Sequence, residues 1–523
     1  MRKTLNKKSI IRKTIQVGGL TMLSRLLAIV REILFYRFLG QPGLVTDAFF
    51  TAYKIPNSFR KIFAEGALSA AIVPTLVKNV RKGDRGAVNR LMSLAFLVFE
   101  GLVLLLCAFF MWKAEAVIAF IAPGFDTQQV MFTARLLKIL MPFIFFLSSS
   151  ALLAGALQAV HKFFVPAISP ALLNVVFIIS LLACLAFDFP IEYLCFSILI
   201  GGFLQFVVHV IAYFKANFSF YSIDKGAVAA FGHVMKKFLP CAFSMSIVEI
   251  SLFIDTSFAS FLPGGSISLI RLSNRFMGIP LGVFAVAFST ILLPHFSRIS
   301  QYAPKRISFY VLEATKFVFW VAIPVACVMI FFSENILSTF FYFTGKFSAD
   351  KASEGANILV AYLLGLFFLS LNKILLSIYY AFHNTWIPTI VSIFATSINF
   401  ALNMLMMRLF MATGIALATS ISALIQTVLF ILFLHYVFGF TFYCKQFVSF
   451  LVRFLAQLFV VFGVMYIIYR LIYSCISTFS EPIARFFLVE FGIWFWIGPL
   501  ILIAFWLIYC TREYFKTKLY FLD

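Results

Sequence analysis

Long apolar stretches separated by short polar ones run along almost the whole chain. Fourteen of them are long enough to cross a bilayer, which takes about 20 helical residues at a rise of about 1.5 Å per residue. They lie near residues 14–39, 46–76, 90–112, 131–160, 165–187, 192–214, 239–262, 271–297, 311–335, 354–382, 387–408, 412–437, 447–472 and 486–511. The pattern predicts an all-α polytopic membrane protein with fourteen transmembrane helices. Unbroken runs such as LVFEGLVLLLCAFFMW argue against the alternating positions of a β-barrel.

Basic residues are concentrated in the N-terminal segment and in three even-numbered connections between these spans, the second, sixth and eighth. They occupy the N-terminal segment and the connections around residues 78–90, 215–237 and 298–306. The connections near 40–45, 188–191, 263–270 and 411–413 contain no Lys or Arg. By the positive-inside rule, this alternation predicts that both termini are cytoplasmic.

Two sequence matches indicate an internal repeat. AVHKFFVP from Ala159 resembles AFHNTWIP from Ala381, 222 residues later, and ALSAAIVP from Ala67 resembles AFSTILLP from Ala287, 220 residues later. We therefore expect two six-helix lobes in tandem, related by an axis along the membrane normal. The predicted organisation is an N-terminal lobe at 1–220, a cytoplasmic amphipathic linker at 221–238, a C-terminal lobe at 239–440, and helices 13 and 14 with a tail at 441–523.

Composition agrees with a membrane protein and narrows its chemistry. Of the 523 residues, 63% are hydrophobic and 12% are charged, which is too apolar for a soluble globular domain. The net charge of +22 is explained by topology, so no nucleic-acid partner is expected. The eight cysteines and six histidines form neither a disulfide framework nor a zinc pattern.

Several charged residues lie inside the predicted spans. Intramembrane ionisable groups generally face a bundle interior or a water-filled cavity. The cations at issue are Arg25, Arg31, Arg60 and Arg275, whereas Arg37 and Arg271 lie near helix ends, where they can snorkel. Arginines in both halves suit an anionic substrate, and the planar guanidinium suits phosphate in particular. The alternative is that each arginine only joins helices by pairing with an acid, as Arg25 with Glu32 or Arg60 with Glu65.

Two lobes in one membrane are the architecture of an alternating-access transporter with its substrate site near the midplane. A membrane glycosyltransferase or peptidoglycan polymerase would need a catalytic acid in a sizeable outer loop. The longest outer connections, near 113–130 and 336–353, are short and sparse. A pure scaffold would not explain arginines at the midplane.

TDAFFTAYKIPNSFRKIFAEGALSAAIVP at 46–74 resembles the MurJ (MviN) family of lipid II flippases, within the multidrug/oligosaccharidyl-lipid/polysaccharide exporter superfamily. SRLLAIVRE at 24–32, LSNRFMGIPLGVFAVAFSTILLPHFS at 272–297 and YYAFHNTWIPTIVS at 379–392 are similar to the same family. The resemblance covers essentially helices 1–12. It implies a transporter, not an enzyme, in the bacterial cytoplasmic (inner) membrane. This transporter would move an undecaprenyl-pyrophosphate-linked peptidoglycan precursor from the inner to the outer leaflet.

The resemblance also implies roles for particular residues. The substrate-binding positions fall on Arg25, Arg31, Glu32, Asp47, Arg60, Glu65 and Arg275. A groove beside helices 13 and 14 would take the lipid tail. A sodium site described in some members would fall on Asp255, Asn399, Asn403 and Thr419. Otherwise no cofactor is expected.

This sequence departs from the family pattern at four positions. Glu32 stands where Asp is usual, and Asn274 and Gly278 stand where acids are frequent beside Arg275. Asn403 stands where sodium-binding members have Asp; its amide oxygen is a weaker ligand for a hard cation than a carboxylate. The expected partners are lipid II and the bilayer, with the cell-wall synthesis or division machinery as candidate protein partners. The rival functions are a flippase for another undecaprenyl-linked glycan and a small-molecule exporter of the same fold.

Overall fold

The computed structural model describes residues 24, 27–62, 68–81, 84–160, 162–286, 288, 289, 292, 296, 307–344, 348–382, 384–441, 443–488 and 492–520. Every regular element within these ranges is helical. By their internal contacts, the residues group into two compact units, Met1–Ile267 and Ser268–Asp523. Each unit is described by itself below.

The described residues of the first unit form ten helices. They are α1 (27–39), α2 (Leu44–Arg60), α3 (Leu68–Arg81), α4 (Arg85–Trp112), α5 (Ala114–Ile121), α6 (Thr127–Leu140), α7 (Phe143–Ala159), α8 (Phe164–Phe187), α9 (Ile191–Lys215) and α10 (Lys225–Ala259). Asp84, Asp126 and Asp224 cap α4, α6 and α10 by accepting backbone N–H groups of the first turn. One core cluster joins α3, α4, α7, α9 and α10 around residues such as Leu91 and Tyr213.

The second unit begins within α11 and is likewise helical. Its elements are α11 (Ser266–Pro280), a π-helical turn (Leu281–Val286), α12 (Ile307–Phe331), α13 (Ser333–Thr344), α14 (Ala349–Leu364), α15 (Leu366–Ala381), α16 (Trp386–Phe438), α17 (Cys444–Ser477), α18 (Glu481–Leu488) and α19 (Ile493–Cys510). One core cluster packs α12, α15 and α16 together, and another packs α17 and α19 against α12.

Among the described residues, nine helices are long and apolar enough to cross a membrane, and α14 with α15, bent by 42°, makes a tenth candidate. One of the nine, α16, is two helices joined at Met411, whose φ of 52° and ψ of −133° are non-helical. This kink lies at the predicted connection 411–413. Four predicted spans, 14–39, 46–76, 271–297 and 486–511, fall partly outside the described residues, so the count of fourteen stays a prediction.

Helix positions bear out the tandem repeat. Four helices of the first half of the chain begin at Leu44, Arg85, Thr127 and Phe164, and four later helices begin at Ser266, Ile307, Ala349 and Trp386. Each pair is separated by the same 222 residues (266 − 44, 307 − 85, 349 − 127 and 386 − 164). The N-cap residues repeat as well, because Asp126 of α6 corresponds to Ser348 of α14. The two halves thus share helix order and register.

Three connections predicted from the sequence contain helical structure. The segment expected as a separate amphipathic linker, 221–238, runs without a break into the next span, because α10 is one helix of 35 residues. The connections predicted to be outer, near 113–130 and 336–353, contain the short helices α5 and α13. An apolar face that packs on neighbouring helices explains why these short segments are helical. The predicted lobe boundaries stay predictions.

Candidate functional site

Arg31 lies in α1 with its side chain 17% exposed. One guanidinium nitrogen, Nη1, donates a hydrogen bond to Oδ1 of Asn174 at 2.8 Å. Its Nη2 is 3.8 Å from Oε2 of the buried Glu32, at the far limit of an ion pair, and its Cζ lies 5.1 Å from the ring centre of Phe177. A guanidinium has five N–H donors, so these contacts orient the cation and leave donors for an anionic ligand.

Asn174 positions Arg31 from α8. Its amide nitrogen donates to the carbonyl oxygen of Ser24 at 3.0 Å and to the Ser24 hydroxyl at 3.2 Å, which fixes the amide oxygen towards Arg31. Asn174 is buried. Sequence reasoning missed this residue, although a lone Asn inside the apolar run PALLNVVF was a usable signal.

Asp47 is buried in the first turn of α2. Its Oδ2 accepts the backbone N–H of Gly265 at 2.7 Å. Gly265 has a φ of +101°, and a Cβ there would lie 2.5 Å from the carbonyl oxygen of Pro42. Within the first unit, Asp47 therefore joins the start of α2 to the chain that follows α10.

Arg60 lies in the last turn of α2, half-buried, with its Nε donating to Oδ1 of Asn57 at 3.1 Å. Beside it, Glu249 of α10 is buried and accepts from the Ser58 hydroxyl at 2.5 Å and from Lys61 Nζ at 3.0 Å. The sequence analysis assigned no role to Glu249. The structure assigns it to a contact between α2 and α10.

Lys54 is a second cation that joins these helices, and the sequence analysis overlooked it. Its ammonium group donates to the carbonyl oxygen of Leu252 and to the hydroxyl of Thr256, and it lies 5.5 Å from the ring centre of Phe253. The lysine in TAYKIPNS, in the middle of a predicted span, was the available signal.

Arg275 lies in α11 of the second unit and is half-buried. Two residues earlier, the buried Ser273 donates to the carbonyl oxygen of Gly355 at 2.8 Å, which fixes that side of α11 against α14. Two positions along an α-helix correspond to a rotation of about 200°. Arg275 therefore points away from the face that packs on α14.

The residues expected to bind sodium divide between the two units. Asp255 is buried in α10. In α16, the Asn403 amide donates to Oδ1 of Asn399 at 3.2 Å, and the Asn399 amide lies 3.5 Å from the Thr419 hydroxyl. The two halves of α16 therefore bring Asn399, Asn403 and Thr419 together as neutral oxygen donors. Within the described ranges there is no group of three or more His, Cys, Asp and Glu residues, so the sodium site stays a prediction.

An apolar cavity of about 260 Å³ lies within the second unit, where α12, α17 and α19 meet. Its lining consists of Cys327, Val328, Phe331, Phe332, Phe462, Met465, Tyr466, Tyr469, Leu500, Ile501 and Ala504. Such a lining suits hydrocarbon, because apolar groups there leave no polar atom unpaired.

Comparison with known proteins decides the family. The family model described as lipid II flippase MurJ matches residues 37–515. The chain belongs to the MurJ family. A probable lipid II flippase MurJ of Buchnera aphidicola subsp. Baizongia pistaciae is 32% identical over 428 residues, which is 80% of this chain and 82% of that protein. The lipid II flippase MurJ of Burkholderia cenocepacia is 30% identical over 430 residues, covering 80% and 83%.

Solved structures agree with the family assignment. A lipid II flippase MurJ in an inward closed conformation matches with a TM-score of 0.76 and 27% identity, over 96% of this chain and 99% of that one. An inward-facing multidrug resistance MATE family transporter of the MOP superfamily matches with a TM-score of 0.65 at 12% identity, over 80% and 96%, which is a likeness of fold.

Membership of the MurJ family confirms three predictions from the sequence. The chain is an all-helical transporter and not an enzyme, its fold is that of the MOP superfamily, and it is a multi-pass protein of the inner membrane. The structure describes five of the predicted substrate-binding residues: Arg31, Glu32, Asp47, Arg60 and Arg275. The other two, Arg25 and Glu65, lie outside the described residues.

Proposed function

We propose that this chain carries lipid II from the inner to the outer leaflet by alternating access, with the pyrophosphate bound by Arg25, Arg31, Arg60 and Arg275. The observation that carries the proposal is the state of Arg31. The Arg31 side chain is only 17% exposed, and among the described residues it is held by a neutral amide and by an acid no nearer than 3.8 Å, so these residues compensate its charge only weakly. A phosphate oxygen supplies the missing negative charge and accepts two N–H donors of the guanidinium.

The apolar cavity of the second unit is our candidate site for the undecaprenyl tail. Each buried CH₂ group contributes about 0.8 kcal/mol of transfer free energy. A short part of the tail in contact with Met465 and its neighbours therefore adds measurably to affinity without any polar contact. The head group would thus be recognised by charged hydrogen bonds, and the tail by apolar contacts.

The driving force we propose is the membrane potential. Moving one charge across 100 mV is worth about 2.3 kcal/mol. Sodium coupling through Asp255, Asn399, Asn403 and Thr419 is the alternative. Replacing sodium with choline at constant potential tests it: unchanged flipping would exclude sodium coupling, and collapse of the potential should then stop transport.

The decisive test is lipid II flipping in a strain that relies on this chain alone. We expect normal outer-leaflet exposure of lipid II and its accumulation in the inner leaflet on depletion. Failure to flip lipid II would contradict the proposed function, and export of another undecaprenyl-linked glycan or of a small molecule would identify the rival.

The arginine site is tested in the same strain by the triple variant Arg31→Ala, Arg60→Ala and Arg275→Ala. The matched control is Arg37→Ala, which removes an exposed arginine near the end of α1. We expect flipping to be lost in the triple variant and kept in the control. Normal flipping by a folded triple variant would refute the site while leaving the function intact.

A further inference from the structure

Glu100 is an acid buried inside the membrane-spanning helix α4 of the first unit. Its side chain is 2% exposed. Helix α7 packs against α4, and the Ser148 hydroxyl on α7 donates a hydrogen bond to Oε1 of Glu100 at 2.7 Å. The proposed transport mechanism makes no use of this residue.

The second carboxyl oxygen of Glu100 is not paired. Among the described residues, Oε2 is buried and has no hydrogen-bond partner. The hydroxyl of Ser149 lies beside the same carboxyl, yet it too is fully buried and lacks a partner in the described part of the chain. The Ser149 hydroxyl is a neutral group that can donate or accept, so it can be a second hydrogen-bond partner of this carboxyl but cannot compensate a negative charge on it.

No cation of the described residues is bound to Glu100. The titratable side chains on the helices that pack against α4 include Lys78, Glu115, Arg135, Lys138, His233, Lys236, Lys237, Cys241, Glu249 and Asp255. None of these forms an ion pair or hydrogen bond with Glu100 where the structure describes it. Cys107, two helical turns further along α4, is a titratable neighbour that interacts with it, and the Cys107 thiol donates to the carbonyl oxygen of Met141 instead.

An ionised carboxylate in this position would be strongly disfavoured. Transfer of an unpaired charge into an apolar interior costs far more than one hydrogen bond to a neutral hydroxyl returns. A proton on Oε2 removes the charge and supplies the missing donor. The Ser149 hydroxyl can then accept that hydrogen bond.

We propose that Glu100 is a proton-binding site within the first unit, separate from the arginines. The site holds its proton while α4 and α7 are packed as described. When that packing opens and water enters, the O–H bond of the carboxyl breaks, the proton passes to water, and a carboxylate remains. The ligand of this site is the proton itself, whatever lipid the transporter carries.

Infrared spectroscopy of the purified full-length chain in lipid nanodiscs tests the protonation state. The wild-type minus Glu100→Gln difference spectrum at neutral pH should contain the C=O stretching band of a protonated carboxylic acid. The matched control is Glu513→Gln, an exposed acid after α19, whose difference spectrum should contain carboxylate bands. Carboxylate bands in the Glu100 spectrum, with no acid band, would overturn the proposal.

A second variant is available if Glu100→Gln does not fold. Ser148→Ala removes only the hydroxyl donor, so it should move the acid band to higher wavenumber. An unchanged acid region in the folded Ser148→Ala protein would also count against a protonated Glu100. If Glu100 binds and releases a proton during transport, the pH dependence of lipid II flipping should differ between Glu100→Gln and the wild type. Failure of the wild-type protein to flip lipid II would contradict the proposed function but would leave the proton site untouched.

Discussion

The surroundings of Arg31 and the cavity beside Met465 lie in different units and differ in the kind of contact that they offer a ligand. Around Arg31, each contact is electrostatic and directional: the guanidinium contacts an amide oxygen, a carboxylate near the distance limit of an ion pair, and an aromatic face. Around Met465, the lining is almost wholly hydrocarbon and aromatic. A polar group in an apolar medium needs a partner at a fixed distance, whereas hydrocarbon needs only to be close-packed.

This difference predicts how each region tolerates change. Contacts around Arg31 depend on the distance and direction between polar atoms, so even conservative substitutions there should reduce activity. Contacts in the apolar region depend on volume, so substitutions there should act in proportion to the space they fill or empty. The following experiments test that contrast, from the largest expected effect to the smallest.

The largest effect is expected for Arg31→Ala. A hydrogen bond from a charged donor contributes about 1.5–3 kcal/mol, so lipid II flipping should slow by roughly 10- to 100-fold. Arg31→Lys should recover only part of the rate, because an ammonium group lacks the planar fork of guanidinium. Flipping assays in the dependent strain measure both, with Arg37→Ala as the control. Full activity of Arg31→Ala would show that the polar contacts of this residue are not needed for flipping.

Gly265→Ala should destabilise the first unit. A non-glycine residue at a φ of +101° costs about 1–3 kcal/mol, and the added Cβ would lie 2.5 Å from the carbonyl oxygen of Pro42. The control is Gly101→Ala in the middle of α4, where the added methyl group meets no atom within 4 Å and helix propensity improves. Thermal unfolding in detergent measures both. Equal midpoints would show that the loop relaxes around the added methyl group.

Asp47→Ala leaves the backbone N–H of Gly265 without its acceptor. A buried unpaired donor costs about 1–3 kcal/mol, so the unfolding midpoint should fall. Asp47→Asn keeps an oxygen that can accept the same hydrogen bond and should lose less. An equal loss in both variants would mean that the negative charge, and not the hydrogen bond, is what matters at this position.

The smallest effect is expected for Ala504→Leu, which fills part of the apolar cavity. Each CH₂ of the tail excluded from the site should weaken binding by about 0.8 kcal/mol, or roughly fourfold, while stability stays the same or rises. Ile503→Phe, on the exposed side of the same helix, is the matched control. If Ala504→Leu reduced flipping as much as Arg31→Ala, the proposed difference in sensitivity between the apolar cavity and the Arg31 region would be wrong.

Some features of the site could be predicted from the sequence, and others could not. Arg31 and Arg275 were recognisable because guanidinium groups are rare inside apolar runs, and the same reasoning could have found Lys54. The hydrogen-bond partners of Asn174 and of the Gly265 backbone N–H could not be assigned. A neutral amide and a main-chain donor give no charge signal, and their partners lie 143 and 218 residues away in the chain.

The amino-acid sequence by itself determined the helical class, most of the spans and the 222-residue repeat. These follow from local rules: backbone hydrogen bonds must be satisfied within the apolar segment, and similar segments fold alike. The tertiary structure decided which polar atoms meet. It gave Arg31 an amide in place of a full ion pair, joined α2 to α10 through Lys54 and Glu249, and left one oxygen of Glu100 unpaired among the described residues. Such pairings depend on distances of a few tenths of an ångström between helices far apart in the chain, which hydrophobic periodicity does not encode.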